Sequence, residues 1–164
     1  LQHLPTAYQQ GQNLDARAAV GLAAHYAGLA INQAALGYVH GLAHQLGAQY
    51  GVPHGRANAI VLPYILAFNR KASAKRLADL ARRIGLAQAD AADGSAAECL
   101  IAAVQALIAQ VQIKTHIANM QAADFAPMIQ AAFAEVHGTY AVPRYMTAAQ
   151  ATAILTAIAA QKAA

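Results

Sequence analysis

An all-α fold is what this sequence predicts, and three observations carry the prediction. Alanine dominates a chain whose hydrophobic residues make up 58% of the total, and alanine has the highest intrinsic helix propensity. Strand formers are sparse, with few threonines, scattered valines and no alternating apolar–polar run of useful length. Helix-starting signals recur instead: Asn13, Ser95 with Glu98, Asp124, and Thr147 with Gln150. At 164 residues the chain is long enough to enclose one core. The expected architecture is a single helical domain over residues 1–164, built from about seven helices.

Taken in order, Pro5 opens a short helix, because its missing N–H costs nothing in the first turn, and Gly11 ends it. Asn13 caps a second helix reaching about Asn32, with Leu14, Ala18, Leu22, His25 and Leu29 near one stripe. Its polar positions are few, so it is expected to be buried on several sides, with His25 as a hydrogen-bonded core residue. Gly37 separates it from a helix that carries His40 and His44 and ends near Gly47 or Gly51. The turn Gly-Val-Pro-His-Gly at residues 51–55 hands over to a helix across residues 56–69. Pro63 removes one backbone donor there and should kink it.

A basic helix follows over residues 72–84, with Leu77, Leu80, Ala81 and Ile84 expected to be buried. After a loop at residues 87–94, Ser95 and Glu98 read as a capping box for a helix over residues 96–110. Residues 112–123 are less regular. Asp124 is expected to cap a helix over Phe125–Val136, with Pro127 in its first turn and His137-Gly138 at its end. The stretch GTYAVPRYM is irregular, and the Thr147/Gln150 capping box opens a last helix to about Ala160.

Charge and composition narrow the function classes. Basic residues concentrate between Arg70 and Arg83, in RKASAKRLADLARR. No aromatic residue interleaves with them and no recognition-helix pattern follows, so they read as a solvated helix face and not as a phosphate-binding patch. The most apolar run, residues 99–113, is interrupted by Gln105, Gln110 and Gln112 and is too short to cross a bilayer. Nucleic acid and membrane are therefore not expected partners. No leader with a basic start and a small-residue cleavage site is visible. The one cysteine, Cys99, rules out an intramolecular disulfide within these residues and suits a reducing, cytoplasmic compartment. Within ECLIAAVQALI it is expected to be a buried, inert thiol.

The chemistry concentrates in GYVHGLAHQLGAQYGVPHGRANAI, residues 37–60. His40 and His44 are four apart and share one helix face. His54 sits in the Gly/Pro turn, which would hold a side chain at a fixed angle. Spacing alone leaves two readings open: a three-imidazole site for a divalent ion, or satisfied core histidines. A metalloprotease would need a glutamate after the first histidine, where Gly41 stands. No Cys-x-x-Cys pair, Gly-rich phosphate cradle or activated nucleophile is present.

The stretch HGLAHQLGAQYGVPHGRANAIVLPYILAFN closely resembles the metal-site signature of the iron-containing alcohol dehydrogenases. The resemblance extends upstream through LPTAYQQGQNLDARAAVGLAAHYAGLAINQAALG and downstream through PRYMTAAQATAILTAI. Gln45 is a departure, since many relatives carry proline after the second histidine. The resemblance implies a two-domain enzyme that interconverts primary alcohols and aldehydes. NAD(P) would sit on an N-terminal α/β domain, and the metal on a dehydroquinate-synthase-like C-terminal helical domain, which these residues represent. It makes His40 and His54 ligands of Fe2+, with Zn2+ as the alternative. It makes His44 a non-ligand near the substrate and nicotinamide that assists proton transfer.

The family's remaining ligands come from an Asp-x-x-x-His motif, which does not precede His40 here: Asp15 has Ala19 at the required place. Those ligands, and the nucleotide domain, are expected before Leu1, so that residues 1–164 alone would be inactive and free to self-associate as a homo-oligomer. Glycerol-dehydrogenase-like and maleylacetate-reductase-like enzymes are the neighbouring readings. A free-standing helical interaction module with a decayed metal site is the alternative from another class.

Overall fold

Capping residues and glycines punctuate the chain into helices, and most of the expected boundaries are realised. The computed structural model describes residues 1–161, so the last three residues of the expected 1–164 domain lie outside the described residues. Seven α-helices are described: α1 (Leu4–Gln9), α2 (Leu14–Ala34), α3 (Tyr38–Tyr50), α4 (His54–Arg83), α5 (Asp93–Gln110), α6 (Phe125–Val136) and α7 (Ala148–Ala159). A 3-10 turn over Ala122–Asp124 leads into α6, and no strand occurs among the described residues.

Two of the expected caps form. The Asn13 side chain accepts from the Ala16 N–H at 3.0 Å and starts α2. At α7 the Thr147 hydroxyl accepts from the Gln150 N–H, while the Gln150 side chain accepts from the Thr147 N–H. A third device ends α4. Gly85 takes φ +74°, and the Leu86 and Gly85 N–H groups donate back to the Ala81 and Arg82 carbonyls.

Two cores organise the molecule, and α4 joins them. In the larger, α3, the first half of α4, α6 and α7 enclose Tyr38, Leu42, Leu46, Val61, Val136, Leu155 and Ile158, all fully buried. In the smaller, Ala78 and Ala81 of α4 face Ala96 and Leu100 of α5. Arg82 fastens that pair, donating to the Ala91 carbonyl and the Asp93 carboxylate at 2.7 Å each.

Several expectations need correction. The two helices expected over residues 56–69 and 72–84 are one 30-residue helix that runs through Pro63. No glycine or second proline lies between Asn69 and Ala72, and Arg, Lys and Ala there all favour helix. Leu80 and Ile84 are exposed on it, because α5 covers the neighbouring stripe through Ala78 and Ala81. The Ser95/Glu98 capping box does not form. Helix α5 starts earlier, at Asp93, and Glu98 pairs with Arg70 across the helix pair. Asp124 occupies the N-cap position of α6 as expected but makes no side-chain capping bond; its carboxylate accepts from the Tyr50 hydroxyl at 2.6 Å.

Cys99 is exposed, since Leu100 and Ile101 take the buried face of α5. The largest difference concerns α2, which buries only Ala16 and leaves His25 exposed. Among the described residues the helix packed along it is α1, so its apolar stripe faces outward.

Candidate metal centre

Local structure explains how three histidines separated by up to fourteen positions come together. Helix α3 carries His40 and His44 one turn apart. It stops at Gly51, whose φ of +63° lies in the left-handed region that suits glycine, and whose N–H donates to the Gly47 carbonyl at 3.0 Å. The chain then turns back within two residues. Val52 is buried and anchors the turn to the core, Pro53 is extended, and α4 begins at His54. The Ala57 N–H closes the first turn of α4 on the Pro53 carbonyl. The first residue of α4 therefore faces the same space as the exposed side of α3.

The three rings stand in a triangle. Ring centroids are 5.8 Å apart for His40 and His44, 5.4 Å for His40 and His54, and 5.4 Å for His44 and His54. His40 and His44 are half-buried and His54 is exposed. Burial lowers the pKa of His40 below the ordinary histidine value, and the neighbouring His54 and His44 push it the same way against the opposing Glu135. Neutral imidazole is the form that binds metal. Even so, among the described residues no three His, Cys, Asp or Glu side chains converge on a point that could hold an ion.

At His44, Nδ1 lies 3.0 Å from both carboxylate oxygens of Glu135 on α6. Glu135 is absent from the sequence-derived candidates. Its signal was nevertheless present, as the one charged residue in FAPMIQAAFAEV. Gly41 brings it within reach. A Cβ there would stand 2.6 Å from Val136 Cγ2 and 3.3 Å from the Ala132 carbonyl oxygen, so the bare glycine lets α3 and α6 touch. At His54, Asn58 Nδ2 donates to the His54 carbonyl at 3.0 Å and lies 3.1 Å from Nε2.

Beside His40 opens a cavity of about 340 Å³, walled mainly by Ile31, Leu36, Val39, Leu62, Ile65 and Val142. Its walls are apolar apart from His40, the Tyr38 ring and Asn69. The sequence-derived site residues His40, His44 and His54 are thus brought together, with His44 distinguished by its carboxylate partner.

The chain matches the family model described as the Fe-containing alcohol dehydrogenase family, C-terminal, over residues 1–159. It is 39% identical over 132 residues to the 1,3-propanediol dehydrogenase of Citrobacter freundii, covering 79% of this chain and 34% of that protein. With the 1-propanol dehydrogenase of Salmonella typhimurium it shares 42% identity over 114 residues, 68% of this chain and 29% of that one. The chain thus spans about a third of the length of these curated relatives.

Among solved structures, a 1,3-propanediol oxidoreductase superposes with a TM-score of 0.88 at 35% identity, covering 96% of this chain and 41% of that one. An alcohol dehydrogenase from Oenococcus oeni gives 0.87 at 36% identity, covering 95% and 41%.

Proposed function

This chain belongs to the iron-containing alcohol dehydrogenase family, over that family's C-terminal region, and from that premise we propose that it supplies the metal-binding share of a dehydrogenase active site. The whole protein would interconvert primary alcohols and aldehydes with NAD(P), held mainly by an N-terminal domain outside these residues. The observation that carries the reading is the meeting of His40 and His54, from α3 and from the first position of α4, with ring centroids 5.4 Å apart.

The donor set fits a divalent ion as part of a site. His40 is favoured in its neutral, ligand-competent form, and imidazole suits Fe2+ or Zn2+. His40 and His54 would hold the ion, with further ligands from outside these residues. When bound, the ion supplies Lewis-acid polarisation of an alcohol or carbonyl oxygen.

The rest of the work falls to this chain's own groups. The apolar walls of the cavity beside His40 take the carbon chain of the substrate. His44 takes the hydroxyl proton at Nε2 and returns it in the reverse direction, a role that suits an imidazole. The relatives, a 1,3-propanediol dehydrogenase and a 1-propanol dehydrogenase, support short primary alcohols as the substrate class. The chain by itself holds no Gly-rich dinucleotide loop and is expected to be inactive.

No helix among the described residues is long and apolar enough to cross a membrane. The single cysteine supports a reducing, cytoplasmic setting. The outward apolar stripe of α2 supports burial against further protein, a homo-oligomer included.

The test is oxidation of 1-propanol or 1,3-propanediol by the complete protein with NAD+ or NADP+, followed by nicotinamide absorbance. Turnover should vanish on chelation and return with Fe2+ or Zn2+. Turnover indifferent to chelators would contradict the proposal.

A further inference from the structure

We propose that Glu135 is the positioning residue for His44, holding it as the Nδ1–H tautomer so that Nε2 is left bare to accept a proton. The proposal rests on the reading above that His44 relays the substrate proton. Three features lead to it.

The first is contact geometry. Both carboxylate oxygens of Glu135 lie 3.0 Å from His44 Nδ1, and the Tyr140 hydroxyl approaches Oε1 at 3.4 Å from the other side. An ionised carboxylate can only accept. In the neutral imidazole the proton therefore sits on Nδ1, and Nε2 keeps its lone pair.

The second is placement. Glu135 is the only charged residue of α6, and its side chain is 26% exposed, next to a His44 side chain that is 38% exposed. A carboxylate partly buried on a mostly apolar helix loses hydration unless a donor replaces it. His44 at 3.0 Å is the nearer of two donors, the Tyr140 hydroxyl at 3.4 Å being the other, and it lies on the histidine face of α3.

The third is how the contact is built. Gly41 stands between His40 and His44 and meets Val136, the residue after Glu135. The same glycine that allows α3 and α6 to touch sets the reach from Glu135 to His44. A surface ion pair has no such provision and contributes little. Here the backbone approach is fixed by the buried residues Ala132, Val136 and Leu42. The contact separates two histidines that are equivalent by spacing: His44 has a carboxylate at Nδ1, and among the described residues His40 has no such partner.

The experiment uses 15N-labelled histidine and nitrogen chemical shifts in the metal-free chain, alongside steady-state kinetics of the complete enzyme. In the wild type, His44 should show a protonated Nδ1 and a bare Nε2. Glu135→Ala should lose that bias and lower kcat about a hundredfold, as expected for loss of a general acid–base group, with KM little changed. Glu135→Gln keeps an acceptor oxygen at the same reach and should restore both the tautomer and most of kcat.

A wild-type His44 protonated on Nε2, or one whose tautomer is the same in Glu135→Ala, would overturn the proposal. The wild-type spectrum alone decides if the alanine variant fails to fold. A tautomer that switches while kcat is unchanged would uphold Glu135 as the positioning residue and refute the proton relay assigned to His44.

Discussion

Helices α2 and α3 are neighbours in sequence, similar in composition and opposite in fate. Both are rich in alanine and leucine, both contain glycines, and both carry histidine. Helix α3 buries Tyr38, Leu42 and Leu46 completely, between α4 and α6. Helix α2 leaves Leu14, Leu22 and Leu29 at least half exposed. What separates them is whether another element lies opposite. An apolar stripe states that a helix can bury a face; it does not state that the partner lies within the same stretch of chain. His25 on α2 has the adjacent Tyr26 ring beside it, with centroids 6.0 Å apart, whereas His40 and His44 gain His54 and Glu135 from other elements because α3 is clamped from two sides.

The comparison can be broken by substitutions matched between the two helices. Leu42→Ala on α3 removes a fully buried side chain and should cost about 2–5 kcal/mol by denaturant unfolding. Gly41→Ala should follow with about 1–3 kcal/mol, because its Cβ must displace Val136 at 2.6 Å. It should also loosen the His44–Glu135 contact, visible as a change in the His44 nitrogen shifts. Leu22→Ala on α2 should stay within about 0.5 kcal/mol in the chain as described, as for any exposed site away from a packed feature. A cost above about 2 kcal/mol, the core range, would mean that α2 is covered in solution, and light scattering against concentration would show whether a second copy covers it.

These contrasts also mark how far the sequence could be read. The caps at Asn13 and Thr147 are local events between residues three apart, so the sequence alone places them. The α3–turn–α4 unit is local too, because Gly51 and Pro53 dictate the reversal. Non-local choices were not legible. Glu98 is in register for a capping box, yet it pairs with Arg70, twenty-eight residues away. Asp124 is well placed to cap α6, yet it meets Tyr50. In each case a local hydrogen bond competed with a tertiary one, and packing of α4 on α5 or of α3 on the α6 entry decided. Glu135 was missed for the same reason, since its partner lies ninety-one positions back along the chain. The division of labour among the three histidines is what the family resemblance implies, and the proposed role of His44 adds its carboxylate partner to it.

The central claim is that His40 and His54 hold the metal while His44 does not. Metal content of the purified complete protein, measured by elemental analysis for four single alanine variants, tests it most directly. Loss of a residue that only holds a ligand in place by a hydrogen bond already costs metal affinity about 10–100-fold, so loss of a ligand itself should empty the site. His40→Ala and His54→Ala are predicted to lose bound metal, while His44→Ala and the α2 control His25→Ala retain it. Full occupancy in His40→Ala or His54→Ala, or an empty site in His44→Ala with its fold intact, would contradict the account.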